Sequence, residues 1–559
     1  MGLTTQCSSV PRFYRSLFDI VDTARERGIV FYGAGFWGEI TWRIFRLFSV
    51  KPLCFCDDDP DKRTQPHPLT QAPVLDIDEA VRRYPNAVYL ATVSNIGGKA
   101  APRYRMNMVL RERGVLSADS GFHASRYTFL LEDHVYAQIN APIKRVEGVF
   151  HKEHLDRVFF LNHMGNSGIS YLDQLIDSHP EILNIAMLGH KTDLPQLYES
   201  RLQYLAGREL AVEIASQMNP YLKCSLPEEV FFSSYRLAQQ FYLDKEGRPE
   251  QRLYIDGAAF LHFLLQELPE ERTISFGELI RCIFAAYSNV IGKPFDPRKI
   301  YWILYEMHQV NYDVNALDQL LLQDDFADRR YLFIIRESVR HCYSWLRRFV
   351  TDADADMRGY HVRSSLTDLF SCDLGLMLER TSSRAAKQVR IVRFEDLKLH
   401  RSQTMQALCQ WLGISYSTNM EETTVNGISV YFPVSSNSSQ VHGADSLSAV
   451  SPCDYSDLFS EFDVLRLNLL FQYCKRACGY AVDVPDLGQF SMPFLENLLK
   501  IPFRFEQVIQ RMLEQDVQNG CTDDELFDYM APLRKLLLSY ACQHKPCGYF
   551  TCIEPVESD

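Results

Sequence analysis

The apolar positions along this chain change period repeatedly, and each change predicts an element. Residues 29–32, "IVFY", form a short apolar run that reads as a buried strand. The Gly-rich "GAGFWG" follows, and an amphipathic pattern through about Phe48 predicts a helix. "PLCFCDDD" returns to a strand that reaches Asp57, and "AVYLATVSN" (87–95) is a third. Strands alternating with helices predict a parallel α/β sheet. The rhythm resumes at "RVFFLN" (157–162), apolar on both faces as in the interior of a parallel sheet. The turn "MGNSG" then leads into a helix with Ile169, Leu172, Leu175 and Ile176 at helical spacing. "KIYWILY" (299–305) and "YLFII" (331–335) are two more strands, ending beside Glu306 and Arg336. A helix follows the second, with Val339, Cys342, Leu346 and Phe349 on one side. Val389–Phe394 reads as a strand. It precedes an amphipathic helix with Met405, Leu408 and Leu412 inward and Gly413 as C-cap. The aromatic-rich stretch 213–265 and the amphipathic stretch 491–541 are expected to be helical.

A chain of 559 residues is too long for one ordinary domain. The expected division is a Rossmann-like nucleotide-binding domain over 1–125, a parallel-sheet domain over 150–482, and a helical C-terminal extension over 483–559. The Ser-rich, aperiodic stretch 431–453 is expected to be a loop. A net charge of -13 argues against a general nucleic-acid binder, although local basic clusters can still hold small anions. No apolar run has the length of a membrane span. Residues 1–10 lack the regions of a secretory signal, and Gln6 stands where a myristoylation signal wants Ser or Thr. The 15 cysteines are scattered, as expected for reduced thiols in a cytoplasmic protein. Cys54 and Cys56 alternate along a strand and read as core. Cys542, His544, Cys547 and Cys552 offer four soft zinc ligands, but their spacing fits no standard finger, so no metal is expected.

Two places carry candidate chemistry for phosphates. The first is the dinucleotide fingerprint Gly33, Gly35, Gly38. Its first two glycines allow a tight turn and close backbone approach, the third lets helix pack on strand, and Asp57 can bond a ribose. NAD or a nucleotide sugar are the candidate ligands; the alternative is a fold retained for packing or partner contacts. The unit is about half of a doubly wound domain and shows no hydride-transfer constellation, which disfavours an NAD-dependent oxidoreductase. The second place is the turn Gly165, Asn166, Ser167, Gly168, Ile169, Ser170. A helix N-terminus there can hold an anion through backbone N–H groups, with the hydroxyls of Ser167 and Ser170 as added donors. The spacing and Lys of a nucleotide-hydrolysing P-loop are absent. Arg336 lies at a strand's carboxyl end, where open α/β sheets bind ligands, and Arg340 and Ser344 follow at intervals of four on one helical face. Two guanidiniums and a hydroxyl on one face suit a phosphate.

Three stretches in this order, "NSGISYLDQLIDSHPEI", "RESVRHCYS" and "VRFEDL" with its helix ending "WLGI", resemble the sulfotransferases that use 3'-phosphoadenosine 5'-phosphosulfate (PAPS). The resemblance covers roughly 155–480 and implies a P-loop-like parallel-sheet domain. It implies a 5'-phosphosulfate loop at 165–170 and a 3'-phosphate site at Arg336 and Ser344. In the family Lys or Arg precedes the Ser-Gly of the loop; here the residue is Asn166, and the Thr that follows is Ile169. His163 is one candidate substitute, or a satisfied His at a strand end. An acceptor hydroxyl must lose its proton, and His308 or Glu306, at the end of the 299–305 strand, is the expected base. The implied reaction moves a sulfonate from PAPS to a hydroxyl of a carbohydrate or other small metabolite. The rival readings are a non-catalytic PAPS- or nucleotide-binding protein and a scaffold; the sequence leaves the oligomeric state open.

Overall fold

The structure, a computed structural model, describes residues 14, 16–92, 102–113, 115, 122, 124–131, 157–163, 167–185, 194–218, 243–248, 250, 255–292, 300–306, 319–321, 326, 328–347, 389–433, 441–442, 454–518 and 551–556. The N-terminal unit runs α1 (Leu17–Arg27), β1 (Ile29–Tyr32), α2 (Phe36–Leu47), β2 (Pro52–Cys56), β3 (Val74–Leu75), α3 (Ile77–Arg83), β4 (Val88–Ala91) and α4 (Pro102–Arg113). Its strands pair in parallel in the order β3-β2-β1-β4, the order of one mononucleotide-binding half of a doubly wound sheet. Every residue of β1 and β4 is buried, because helices cover both faces. Side chains alternate between them: Ile29, Phe31 and Phe55 pack with Ile40, Ile44 and Phe45 of α2. Val30, Tyr32, Cys54 and Cys56 pack with Ile77, Val81, Met106 and Leu110 of α3 and α4.

The second sheet holds five parallel strands. In chain order the elements are β5 (Arg157–His163), α5 (Ile169–Ile176), β6 (Ile182–Asn184), α6 (Leu194–Ser200), α7 (Gly207–Met218), α8 (Gly257–Glu267), α9 (Phe276–Val290), β7 (Ile300–Glu306), β8 (Asp328–Ile335), α10 (Ser338–Leu346) and β9 (Val389–Arg393). The strand order is β6-β7-β5-β8-β9. The chain leaves β5 toward β6 and β7, then crosses to β8 and β9, so the carboxyl end of β5 lies where the order reverses. Phe159 and Leu161 of β5 pack on α5, while Val158 and Phe160 face the other side in a cluster shared with α7–α9 and the N-terminal unit. α7 also ties the two sheets by polar contacts. Fully buried Glu213 accepts from the Leu17 amide (2.8 Å) and the Tyr127 hydroxyl (2.9 Å), and pairs with Arg201 (2.8 Å).

Beyond β9 lie α11 (Phe394–Leu399), α12 (Arg401–Leu412), α13 (Glu461–Ala477), α14 (Met492–Lys500) and α15 (Arg504–Gln518). The sequence reads one helix after a strand ending at Phe394; the structure ends the strand at Arg393 and divides the helix at His400, whose φ of -135° and ψ of 44° leave the helical region. Met405, Leu408 and Leu412 do face inward, and Gly413 caps with φ 67°. Within the expected loop 431–453, Phe432–Pro433 and Val441–His442 form a short antiparallel pair. Leu495 and Leu499 of α14, Phe505 and Ile509 of α15, and Phe503 between them join the core cluster of α13. Residues 551–556 run alongside β9: the Ile391 amide donates to Thr551 O (3.1 Å), and Ile391 O accepts from the Ile553 amide (2.7 Å). Among the described residues no helix is long and apolar enough to cross a membrane.

Candidate functional site

The parallel register gathers the candidate residues at one edge. His163, the final residue of β5, is the Cα partner of Glu306 on β7 and of Ile334 on β8. Arg336 lies two residues beyond Ile334, so three neighbouring strands deliver His163, Glu306 and Arg336 to their carboxyl ends. The side chains of His163 and Glu306, and residues Gly165, Asn166 and His308, lie outside the described residues, as do Cys542, His544 and Cys547 of the cysteine-rich stretch. Cys552 is described; its thiol faces the carbonyl of Cys478 (3.4 Å). Among the described residues no group of three or more His, Cys, Asp or Glu side chains is placed to hold a metal.

The turn into α5 is tightly built. Gly168 has φ 97°, a conformation that side chains other than glycine's rarely adopt. A Cβ on Gly168 would sit 2.1 Å from Cδ2 of Phe394, so this backbone lies directly against the ring. Ser167 is 1% exposed, and its hydroxyl has no hydrogen-bond partner among the described residues. A buried hydroxyl at the amino end of a helix, without a partner, is a donor set suited to an anion. The Ile169 side chain turns into the core with Leu172 and Leu175, which leaves only its backbone for ligand contact, whereas Ser170 is half-buried.

Arg336 donates through Nη1 to the Ser344 hydroxyl (2.8 Å), which joins the two ends of "RESVRHCYS" across two turns of α10. Its guanidinium also stands over the Phe394 ring, 5.2 Å from the centroid. Glu337 caps α10 by accepting from the Arg340 amide (2.9 Å), and its other oxygen takes Lys475 of α13 (2.7 Å). Glu395 accepts from the Glu337 amide (3.1 Å) and from the Tyr480 hydroxyl (2.7 Å). Burial and the Glu395 carboxylate push the Tyr480 phenol well up, so it stays a proton donor to Glu395. Arg340 is half-buried on the first turn of the same helix.

Three further side chains complete this edge, and sequence patterning did not single them out. Phe394 is the wall between Gly168 and Arg336. Tyr171, on the first turn of α5, stands edge-on to Phe394 with centroids 6.4 Å apart. Lys398 reaches from α11 and holds its ammonium 3.7 Å from the Tyr171 centroid and 5.2 Å from that of Phe394. A Lys four residues beyond a strand end in "FEDLKL" reads as solvated, and the only available signal was its one-turn offset from Phe394.

In the N-terminal unit, Gly33 has φ 117°, and a Cβ on Gly38 would meet Gly33 O at 2.1 Å; the third glycine is there for packing. Asp57, the expected ribose ligand, turns to the glycine loop itself. It accepts from the Ala34 amide (2.8 Å) and pairs with Lys62 (3.1 Å).

Residues 160–418 match the model of the Sulfotransferase family. No curated protein matches the chain. Among solved structures, the Sulfotransferase Domain from the Curacin Biosynthetic Pathway aligns at TM-score 0.31 and 12% identity, covering 61% of this chain and 100% of that one; a likeness this low carries no argument here.

Proposed function

We propose that this chain transfers a sulfonate from PAPS to a hydroxyl of a carbohydrate or other small metabolite, a reading supported by the match of residues 160–418 to the Sulfotransferase family model. The observation that carries the reading is the convergence, at one sheet edge, of the Ser167–Gly168 turn with the Arg336–Ser344 pair through a shared Phe394 wall. The residues suit the donor. The unpartnered Ser167 hydroxyl and the first amides of α5 would donate to the 5'-phosphosulfate, and Arg336, Arg340 and Ser344 to the 3'-phosphate.

In this reading the acceptor oxygen attacks sulfur as its proton passes to His308 or Glu306. The sulfur–oxygen bond to the phosphate breaks, and 3'-phosphoadenosine 5'-phosphate leaves. Backbone amides and side-chain donors stabilise the charge on the departing phosphate. A second reading, a domain that binds the donor without fast turnover, draws on Asn166 and Ile169, which replace a cation and a hydroxyl of the family loop. Neither NAD nor a nucleotide sugar enters the proposal, since Asp57 is engaged with its own loop.

Calorimetry with 3'-phosphoadenosine 5'-phosphate tests the reading. The chain is expected to bind it, and Arg336→Ala to weaken binding at least tenfold, the worth of a charge-assisted hydrogen bond or more. Absence of binding, or unchanged binding in the variant, would refute the donor site. Turnover of PAPS with a panel of hydroxylated acceptors then separates transferase from binder.

A further inference from the structure

Asn166 stands where the sulfotransferases that this chain resembles carry a cation before Ser-Gly, yet the structure brings Lys398 over the Phe394 ring that packs against Gly168. We propose that Lys398 is a cation of the donor site, binding a phosphate of the donor in the space between Arg336 and the first turn of α5. This rests on the donor reading above. Three observations carry it. Lys398 is 8% exposed, and among the described residues its ammonium has neither a hydrogen-bond nor an ion-pair partner; it stands over the rings of Tyr171 and Phe394. The Phe394 ring lies against Gly168, beside the orphan Ser167 hydroxyl, and Tyr171 stands edge-on to Phe394. Lys398 and Arg336 each lie 5.2 Å from the Phe394 centroid, and Arg336 is near enough for its charge to act on Lys398, so one anion can answer both.

The charges around Lys398 explain why it waits for an anion. From α12 comes Arg401, and from the end of β8 comes Arg336, both positive; from α5 comes Tyr171. The two acids on its own helix are engaged elsewhere, Glu395 with the Glu337 amide and Tyr480, Asp396 with Arg393. Burial, followed by repulsion from Arg401 and Arg336, brings the Lys398 ammonium down to about 7. A phosphate between these groups adds an opposite charge that offsets both effects and restores the proton. Binding near neutral pH therefore takes up a proton at Lys398, and affinity falls as pH rises above about 7 through the higher value of the complex.

The experiment is calorimetry of 3'-phosphoadenosine 5'-phosphate binding between about pH 6.5 and 9, above the second ionisation of the phosphates. Buffers of different ionisation heats count the protons taken up. Wild type is expected to bind more weakly as pH rises and to take up protons in a way that Lys398→Met does not. Lys398→Met is expected to bind about tenfold to a hundredfold more weakly at pH 7, the range for a lost charge-assisted hydrogen bond. Lys398→Arg keeps the charge and is expected to restore affinity without the pH slope; it decides the question if the Met variant does not fold. Equal affinity and proton uptake in wild type and Lys398→Met, or a wild-type slope in Lys398→Arg, would overturn the inference while leaving the donor reading intact. Failure of wild type to bind at all would remove both.

Discussion

A methyl group on Gly168 would have to occupy the edge of the Phe394 ring, 2.1 Å from Cδ2, on a backbone whose φ of 97° already excludes most side chains. Gly168→Ala is therefore expected to displace either the turn or the ring. The expected outcome is a loss of about 1–3 kcal/mol in stability, read from thermal or urea unfolding. A large drop in affinity for 3'-phosphoadenosine 5'-phosphate should accompany it. An alanine variant of wild-type affinity would show that the turn and Phe394 do not share a ligand. At this scale the chain was partly legible. Glycines at a strand-to-helix turn and the nine-residue span from Arg336 to Ser344 have fixed spacing and chemistry, so they stand out in a bare sequence. Lys398 does not, because its meaning comes from aim and burial: a lysine one turn beyond an aromatic is ordinary until both are seen over the same turn.

At the scale of elements, α10 is held by its amino end. Glu337 caps it, Lys475 reaches Glu337 from α13, and Glu395 fixes the Glu337 amide from α11. Two elements distant in sequence, α11 and α13, thus help set the backbone on which Arg336 stands. Lys475→Met, which removes the ammonium and keeps the stem, is expected to cost about 1–3 kcal/mol, since it leaves Glu337 half-compensated in a mostly buried place. It should also weaken donor binding severalfold through Arg336; urea unfolding and calorimetry on one preparation would measure both, and unchanged affinity would separate Lys475 from the site. Strands and helices here were readable from apolar periodicity, as 157–163 and 328–346 illustrate. The division of the helix at His400 was not, because no Gly or Pro marks it and the apolar spacing of Met405, Leu408 and Leu412 continues past the break.

For the molecule as a whole, alternating strands and helices announced parallel sheets, but the order of strands within them comes from contacts between distant segments that no local pattern encodes. The same holds for Glu213, an unremarkable acid in the sequence that sits fully buried between Leu17, Tyr127 and Arg201 and couples the two sheets. The chain also closes an edge of the larger sheet. β9 is an outer strand, and Ile391 on it is bonded on its far side by Thr551 and Ile553. An uncovered outer strand offers its amides and carbonyls to strands of other molecules. Ile553→Pro, which deletes the amide bonded to Ile391 O, is expected to raise light scattering on mild warming before any change in helical signal; scattering identical to wild type would show that the edge needs no cover. The segment 551–556 thus occupies, at Ile391, the place that a strand of a neighbouring copy would otherwise fill, so its cover bears on colloidal behaviour as well as on packing.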